Sequence, residues 1–222
     1  MKKQGTGYAV LAIVFFTFFI VVTWGFLEAK ETGSVLENNG KEAFNLTAQW
    51  AQGNVVALVR HAERCDRSEN QCLDGDSGIT VSGKSMSIKL GNDFRSLLDV
   101  GNADIYNSPV KRTQQTAQFM FGRSSIDKNW LVDDCRSKLL GDIFDNKENG
   151  RNMVLVTHST CINNLKDPDG KTLINLHEIE KETYGITIFL AVNKHSKQAY
   201  VLGYLGPNDW SKVANYGLRH HI

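Results

Sequence analysis

Two short apolar runs, each leading into a histidine, are the feature that most constrains the fold of this chain. Val55–Val59 leads through one residue to His61, and Met153–Val156 leads through one residue to His158. A strand that is apolar throughout is typical of a parallel sheet covered on both faces. Ligands of such sheets bind just beyond the C-terminal ends of the strands. We therefore expect one sheet edge that presents both imidazoles on the same side.

Further helices and strands alternate along the chain. Amphipathic spacing predicts helices over Ser82–Leu98 and Ser137–Phe144. Shorter patterns predict strands at Asp104–Tyr106 and Trp130–Val132, and a closing hairpin of Ile186–Val192 and Tyr200–Leu205. Strands that alternate with helices and end in a hairpin indicate an α/β fold with a mainly parallel central sheet and an antiparallel edge.

A third segment is expected to reach the same edge. Ser108 is a good N-cap and Pro109 fits the first helical position, which would place Arg112 in the first turn of a helix. The free amide groups and the dipole of that turn favour an anion. The segments would together gather four cationic or titratable side chains around His61, namely Arg60, Arg64, Arg112 and His158.

Such a cluster suits phosphoryl transfer. Arginine side chains bind phosphate oxygens bidentately and remain charged, so Arg60, Arg64 and Arg112 are the candidate phosphate-binding residues. Their charge lowers the pKa of His61 and leaves it able to attack phosphorus, while His158 donates to a non-bridging oxygen. This chemistry needs neither a metal nor a cofactor.

The alcohol that leaves must also receive a proton, so a carboxyl group is expected nearby. Asp133 is the candidate general acid, followed by Asp134 and then by Glu63.

The N-terminus differs in character from the rest of the chain. Lys2 and Lys3 precede Tyr8–Leu27, twenty residues without a charge, which is long enough to span a bilayer. Because positive charge stays cytoplasmic, the remainder is expected to face the periplasm, held by an uncleaved anchor. A cleaved signal peptide, which would release a soluble periplasmic protein, is the alternative. We divide the chain into an anchor (residues 1–28), a linker (29–53) that includes a short helix at 42–50, and a catalytic domain (54–222).

The cysteines agree with an oxidising compartment. Cys65, Cys72, Cys135 and Cys161 all lie in the exported part and permit three pairings, of which we favour Cys65–Cys72 with Cys135–Cys161. Zinc is an alternative, but the spacing of the first two cysteines does not match that of common ligand pairs. A net charge of +1, without a broad basic stripe, argues against a nucleic-acid partner.

Four motifs resemble those of the histidine phosphatases, a family with a phosphoglycerate-mutase-like fold. Arg60-His61-Ala62 resembles the family's Arg-His-Gly signature, with alanine in place of glycine, and Thr157-His158 resembles its second histidine. Ile79–Gly83 is similar to the Leu-Thr-x-x-Gly entry to its first helix, and Ser108–Ala117 to its Ser-Pro-x-x-Arg-x-x-Gln-Thr-Ala element. The resemblance extends from Asn54 to Asn164 and implies an α/β sandwich that hydrolyses phosphomonoesters through a phosphohistidine.

Within the family, Arg60–Ser68 followed by Asn70-Gln71-Cys72 resembles a periplasmic subgroup. This implies a phosphorylated glycolipid or sugar as the substrate, with phosphate removed from a heptose of the lipopolysaccharide core. The chain has Ser159 after His158, where the acid-phosphatase branch has an aspartate, and residues 206–222 match no motif of the family.

Three alternatives remain open at this stage. Gly78–Ser85 fits the phosphate-binding loop of nucleotide hydrolases letter for letter, but no apolar strand precedes it. A protein phosphohistidine phosphatase of the same fold is the second alternative, and a non-catalytic anchored protein that binds anionic sugars is the third.

Overall fold

The computed structural model describes residues 40–122, 125–163, 165–167, 170, 172–174, 183–211 and 213. Among these residues, no helix has both the length and the apolar character needed to cross a bilayer. The predicted membrane segment, Tyr8–Leu27, lies outside them.

The described strands form one mixed sheet. They are β1 (Val55–Arg60), β2 (Ala103–Asn107), β3 (Ser125–Asp127), β4 (Asn152–Thr157), β5 (Thr187–Asn193) and β6 (Gln198–Leu205). Their order is β3-β2-β4-β1-β5-β6. The first four strands run parallel to one another, whereas β5 is antiparallel to both β1 and β6. The predicted α/β class, with a mainly parallel sheet and an antiparallel edge hairpin, is confirmed.

Helices cover both faces of this sheet. They are α1 (Gly40–Ala51), α2 (Val81–Leu97), α3 (Lys111–Phe121), α4 (Cys135–Asn146) and the single turn α5 (Ser159–Ile162). One hydrophobic cluster joins α1, α2 and α3 to alternate residues of β1 and β4. A second cluster joins α4 and α5 to the intervening residues of the same strands. Because both faces are covered, β1 and β4 are apolar throughout, as their sequences indicate.

Helices α2 and α3 approach each other closely at Gly91. A Cβ atom at this position would lie 2.2 Å from the backbone oxygen of Met120. Glycine is therefore required here by the distance between the two helices.

Residues 40–51 are part of the packed domain. We expected a short helix within a linker, but Leu46 and Trp50 of α1 are buried in the first hydrophobic cluster. The Trp50 indole also donates a hydrogen bond of 2.7 Å to the carbonyl of Asp99. The linker assignment is therefore wrong for this helix, because the spacing of Leu46 and Trp50 places both side chains on the face that meets the sheet.

Two further predictions of local structure are corrected. The segment predicted as a strand, Trp130–Val132, overlaps a 3₁₀ turn at Asn129–Leu131, and the strand in this region is Ser125–Asp127. Helix α3 begins at Lys111 with Val110 as its N-cap, so Ser108 does not cap it. Arg112 nevertheless lies in the first turn of the helix, as predicted.

Both disulfides have the pairing that the sequence favoured. Cys65 is bonded to Cys72, and Cys135 to Cys161. The first bridge closes the loop after β1, and the second joins the start of α4 to α5. Among the described residues, one group of three potential metal ligands occurs, Cys65, Cys72 and Asp76. Since the two sulfur atoms of this group are bonded to each other, they are not zinc ligands here.

Candidate active site

His61 and His158 lie side by side at the C-terminal edge of the sheet. Strands β1 and β4 are parallel neighbours in a register that pairs Arg60 with Thr157, the residues just before the two histidines. The backbone amide of His61 continues this pairing with a 3.0 Å hydrogen bond to the Thr157 carbonyl. The centroids of the two rings are 5.4 Å apart. The register of two buried strands thus brings together histidines that are almost a hundred residues apart.

Arg112 bridges the two rings. Its Nε donates to His61 Nε2 at 3.2 Å. Its Nη2 lies 3.2 Å from Nδ1 of His158. Since a guanidinium group carries only donors, each of these ring nitrogens must accept. Arg112 therefore fixes the side on which both histidines present a lone pair.

The contacts of His61 define its tautomer. Its Nδ1 lies 2.8 Å from the carbonyl oxygen of Ala62, which can only accept, so Nδ1 carries the proton. Burial lowers the pKa of His61 to about 3, and the charges of His158, Arg112 and Arg60 act in the same direction, whereas the Ala62 carbonyl opposes them. At neutral pH the ring is uncharged, and Nε2 holds a lone pair directed at the Arg112 guanidinium.

His158 has the opposite tautomer. Its Nδ1 accepts from Arg112, so the proton of the neutral ring is on Nε2, which lies 3.0 Å from Ser108 Oγ. Burial lowers the pKa of His158 to about 4, with further contributions from the charges of Arg112 and Arg64. Ser108 is fully buried. Its hydroxyl accepts a hydrogen bond from Nε2 and holds the ring in place, whereas the sequence pattern predicted Ser108 as a helix cap.

The remaining arginines surround this pair. The Arg60 guanidinium lies 4.4 Å from the ring centroid of Tyr184, whose centroid is in turn 5.8 Å from that of His61. Arg64 forms an ion pair with Asp66. After burial, the charge of Arg64 is the largest influence that lowers the pKa of Arg112. All three predicted arginines therefore act on the histidine pair, by contact or by charge, and Tyr184 joins them without having been predicted.

Polar side chains of α3 hold the loop that follows His61. Thr116 Oγ1 accepts a 2.9 Å hydrogen bond from the Ala62 amide, and Gln115 Oε1 accepts one of 2.8 Å from the Ile79 amide. Thr80 caps α2 by accepting from the amide of Gly83 at 2.9 Å. The contacts of Thr116 and Gln115 join the segment that follows His61 to the helix that carries Arg112.

The predicted carboxyl groups are placed differently. Asp133 is exposed, and no described hydrogen bond or ion pair joins it to His61, His158 or Arg112. Asp134 is also exposed and is paired with Lys138.

Glu63 is half-buried and accepts hydrogen bonds from Ser68, Asn70 and Thr80. Although burial acts against it, these donors hold the pKa of Glu63 below its ordinary value. Glu63 is therefore a carboxylate that anchors the loop after β1.

Similar sequences occur among known proteins. A family model of the histidine phosphatase superfamily (branch 1) matches residues 56–130. A lipopolysaccharide core heptose(II)-phosphate phosphatase from Salmonella arizonae is 38% identical over 146 residues, which cover 63% of this chain and 71% of that protein. The chain belongs to the histidine phosphatase superfamily. A protein of the same name from Salmonella newport is 38% identical over 151 residues, 63% of this chain and 72% of its own length.

The likeness of this histidine phosphatase to solved structures is weaker. A phosphoserine phosphatase from Entamoeba histolytica, in complex with 3-phosphoglyceric acid, is 16% identical with a TM-score of 0.48. The match covers 70% of this chain and 98% of that one. At this TM-score, nothing about the site follows from the likeness.

Proposed function

We propose that this histidine phosphatase hydrolyses phosphomonoesters through a phosphohistidine at His61. The observation that carries the proposal is the lone pair of His61 Nε2, which a backbone carbonyl at Nδ1 fixes on the side of the Arg112 guanidinium. A neutral imidazole beside a fixed cation can attack a phosphorus atom whose oxygens that cation binds.

The substrate phosphate would bind where Arg112 now meets both rings. Its oxygens replace the histidine nitrogens as acceptors for the guanidinium, with Arg60 and Arg64 supplying further positive charge. Nε2 then attacks phosphorus, the ester P–O bond breaks, and the electron pair remains on the leaving oxygen. Water attacks the phosphohistidine in the second step, the P–N bond breaks, and the pair returns to Nε2.

His158 contributes by position. In the described tautomer its Nε2 proton is bound to Ser108 and its Nδ1 accepts from Arg112. When phosphate binds to Arg112, its oxygens replace Nδ1 as acceptor for the guanidinium, and Ser108 keeps the His158 ring beside the site. Donation from His158 to a non-bridging oxygen, as expected from the sequence, would require a second ring proton, on Nδ1.

The proposed substrate is a phosphorylated heptose of the lipopolysaccharide core. Support comes from the names of two relatives that are 38% identical to this chain. The match covers about seven tenths of the length of each relative. The two disulfides support a periplasmic location, since such bonds persist in oxidising compartments. The anchor at residues 1–28 remains part of the proposal.

The test compares lipopolysaccharide from cells that carry the wild-type protein, the His61→Ala variant or no copy of it. Mass spectrometry of the core oligosaccharide reports the phosphate on each heptose. We expect heptose phosphate to be lower with the wild-type protein only. Equal phosphate content in all three samples would refute the substrate assignment, and wild-type activity of His61→Ala would refute the role of His61.

A further inference from the structure

The leaving oxygen needs a proton donor that the predicted acids do not supply. Glu63 is held as a carboxylate by its three hydrogen-bond donors, and Asp133 is exposed without a described contact to the histidine pair. His158 is neutral at physiological pH because burial lowers its pKa to about 4. A neutral imidazole is a poor acid. None of these three described residues, Glu63, Asp133 and His158, is therefore suited to protonate the leaving oxygen.

Among the described residues, Tyr184 is a further group with a transferable proton that contacts His61. Its ring centroid lies 5.8 Å from that of His61, at an interplanar angle of 40°. The Arg60 guanidinium lies 4.4 Å from the centroid of the same ring. The pKa of Arg64 is raised mainly by its hydrogen bond to Asp66 and further by Tyr184, so the phenol is within electrostatic reach of a second guanidinium.

Tyr184, which contacts His61, also lines a groove. The groove has a volume of about 290 Å³, and its walls include Glu63, Met86 and Pro207. Tyr184 is half-buried and forms part of both the histidine site and the groove. With phosphate between the histidines, the alcohol portion of a substrate can extend into this groove past the tyrosine. The ester oxygen would then lie at the boundary between the histidine site and the groove, beside the Tyr184 phenol.

We propose that Tyr184 donates the proton to the leaving oxygen and that the groove lined by Glu63, Met86 and Pro207 receives the alcohol. The inference rests on the proposed function. As the ester P–O bond breaks, its electron pair takes the phenolic proton, and a tyrosinate forms beside Arg60 and Arg64. In the second step, the tyrosinate takes a proton from the attacking water. The phenol is thus restored in each cycle.

The test uses two esters that differ in their need for a proton. Glucose 6-phosphate releases an alkoxide that must be protonated, whereas p-nitrophenyl phosphate releases a stable phenolate. For Tyr184→Phe in the full-length protein, kcat/KM for glucose 6-phosphate is expected to fall by about 10²- to 10⁴-fold, the usual contribution of a general acid. For p-nitrophenyl phosphate we expect a fall of less than about tenfold.

Two variants serve as comparisons. Tyr200→Phe makes the same chemical change on the exposed face of the β5–β6 hairpin and should leave both substrates unaffected. Glu63→Gln disrupts the loop after β1 and should lower both activities in parallel.

Equal losses for both esters in Tyr184→Phe, or a loss confined to glucose 6-phosphate in Glu63→Gln, would overturn the assignment of Tyr184 alone. If the wild-type protein hydrolyses neither ester, the proposed function is overturned, and this inference with it.

Discussion

Between pH 7 and pH 5, the folded protein is expected to lose stability through His61. Burial and neighbouring charge lower the pKa of His61 to about 3 in the folded state, against about 6.5 in the unfolded chain. At pH 5 the unfolded chain therefore binds almost one more proton at this residue than the folded protein does. Integrating this difference gives a loss of about 2 kcal/mol between the two pH values.

The direction of the effect follows from the lowered pKa. The contribution of His61 is fully present above pH 6.5, declines as the pH falls through the interval between the two pKa values, and is constant below about pH 3. His158 acts in the same direction, since its pKa in the folded state is about 4. The wild-type protein should therefore lose more stability than His61 alone accounts for.

Urea denaturation at pH 7 and pH 5 measures the effect. Comparison of the wild-type protein with His61→Gln cancels the contributions of groups that do not interact with His61, and the variant should lose about 2 kcal/mol less than the wild type between the two pH values. His195→Gln, at an exposed position in the β5–β6 turn, is the matched control and should behave as the wild type does. An equal loss in the wild type and in His61→Gln would show that His61 binds a proton as readily in the folded protein as in the unfolded chain, which would refute the argument.

Three further predictions concern other parts of the molecule. Arg112→Lys should lower kcat/KM on the order of 10²-fold in steady-state kinetics, because a single ammonium group cannot replace a guanidinium that contacts both histidine rings. Near-normal kinetics would contradict the bridging role of Arg112. Gly91→Ala should lower the free energy of unfolding, measured by urea denaturation, by about 3 kcal/mol because its Cβ would collide with the α3 backbone. Gly141→Ala, which has open space around it, should not have this effect, and equal stabilities of the two variants would contradict the packing argument. Removing the disulfide in a Cys135→Ala/Cys161→Ala double variant should cost about 3.5 kcal/mol for a closed loop of 26 residues, and an unchanged thermal midpoint would contradict this.

The core of the fold and the histidine pair could be predicted because both depend on simple patterns. Val55–Val59 and Met153–Val156 are apolar throughout, which requires strands covered on both sides. The chain direction of parallel strands then places His61 and His158 at one edge. Arg112 could be predicted to join them because a helix that starts after a short strand begins at the same edge.

Other parts of the site depend on contacts that no local pattern reveals. Ser108 is of a residue type that favours the N-cap, but its hydroxyl is hydrogen-bonded to His158, and Val110 is the N-cap of the helix instead. Trp130 belongs to a short apolar segment that is compatible with either a strand or a 3₁₀ turn. Tyr184 lies in no motif, and only the pairing of β5 with β1 brings it to His61.

The identity of the nucleophile is tested most directly by trapping the intermediate. Full-length protein is mixed with a ³²P-labelled phosphomonoester, quenched in alkali within the first turnover and digested for peptide mapping. We expect an alkali-stable, acid-labile phosphoryl group on His61 in the wild-type protein and none in His61→Ala. A phosphoryl group on another residue, or hydrolysis by the wild type without any covalent phosphate, would contradict the proposed mechanism.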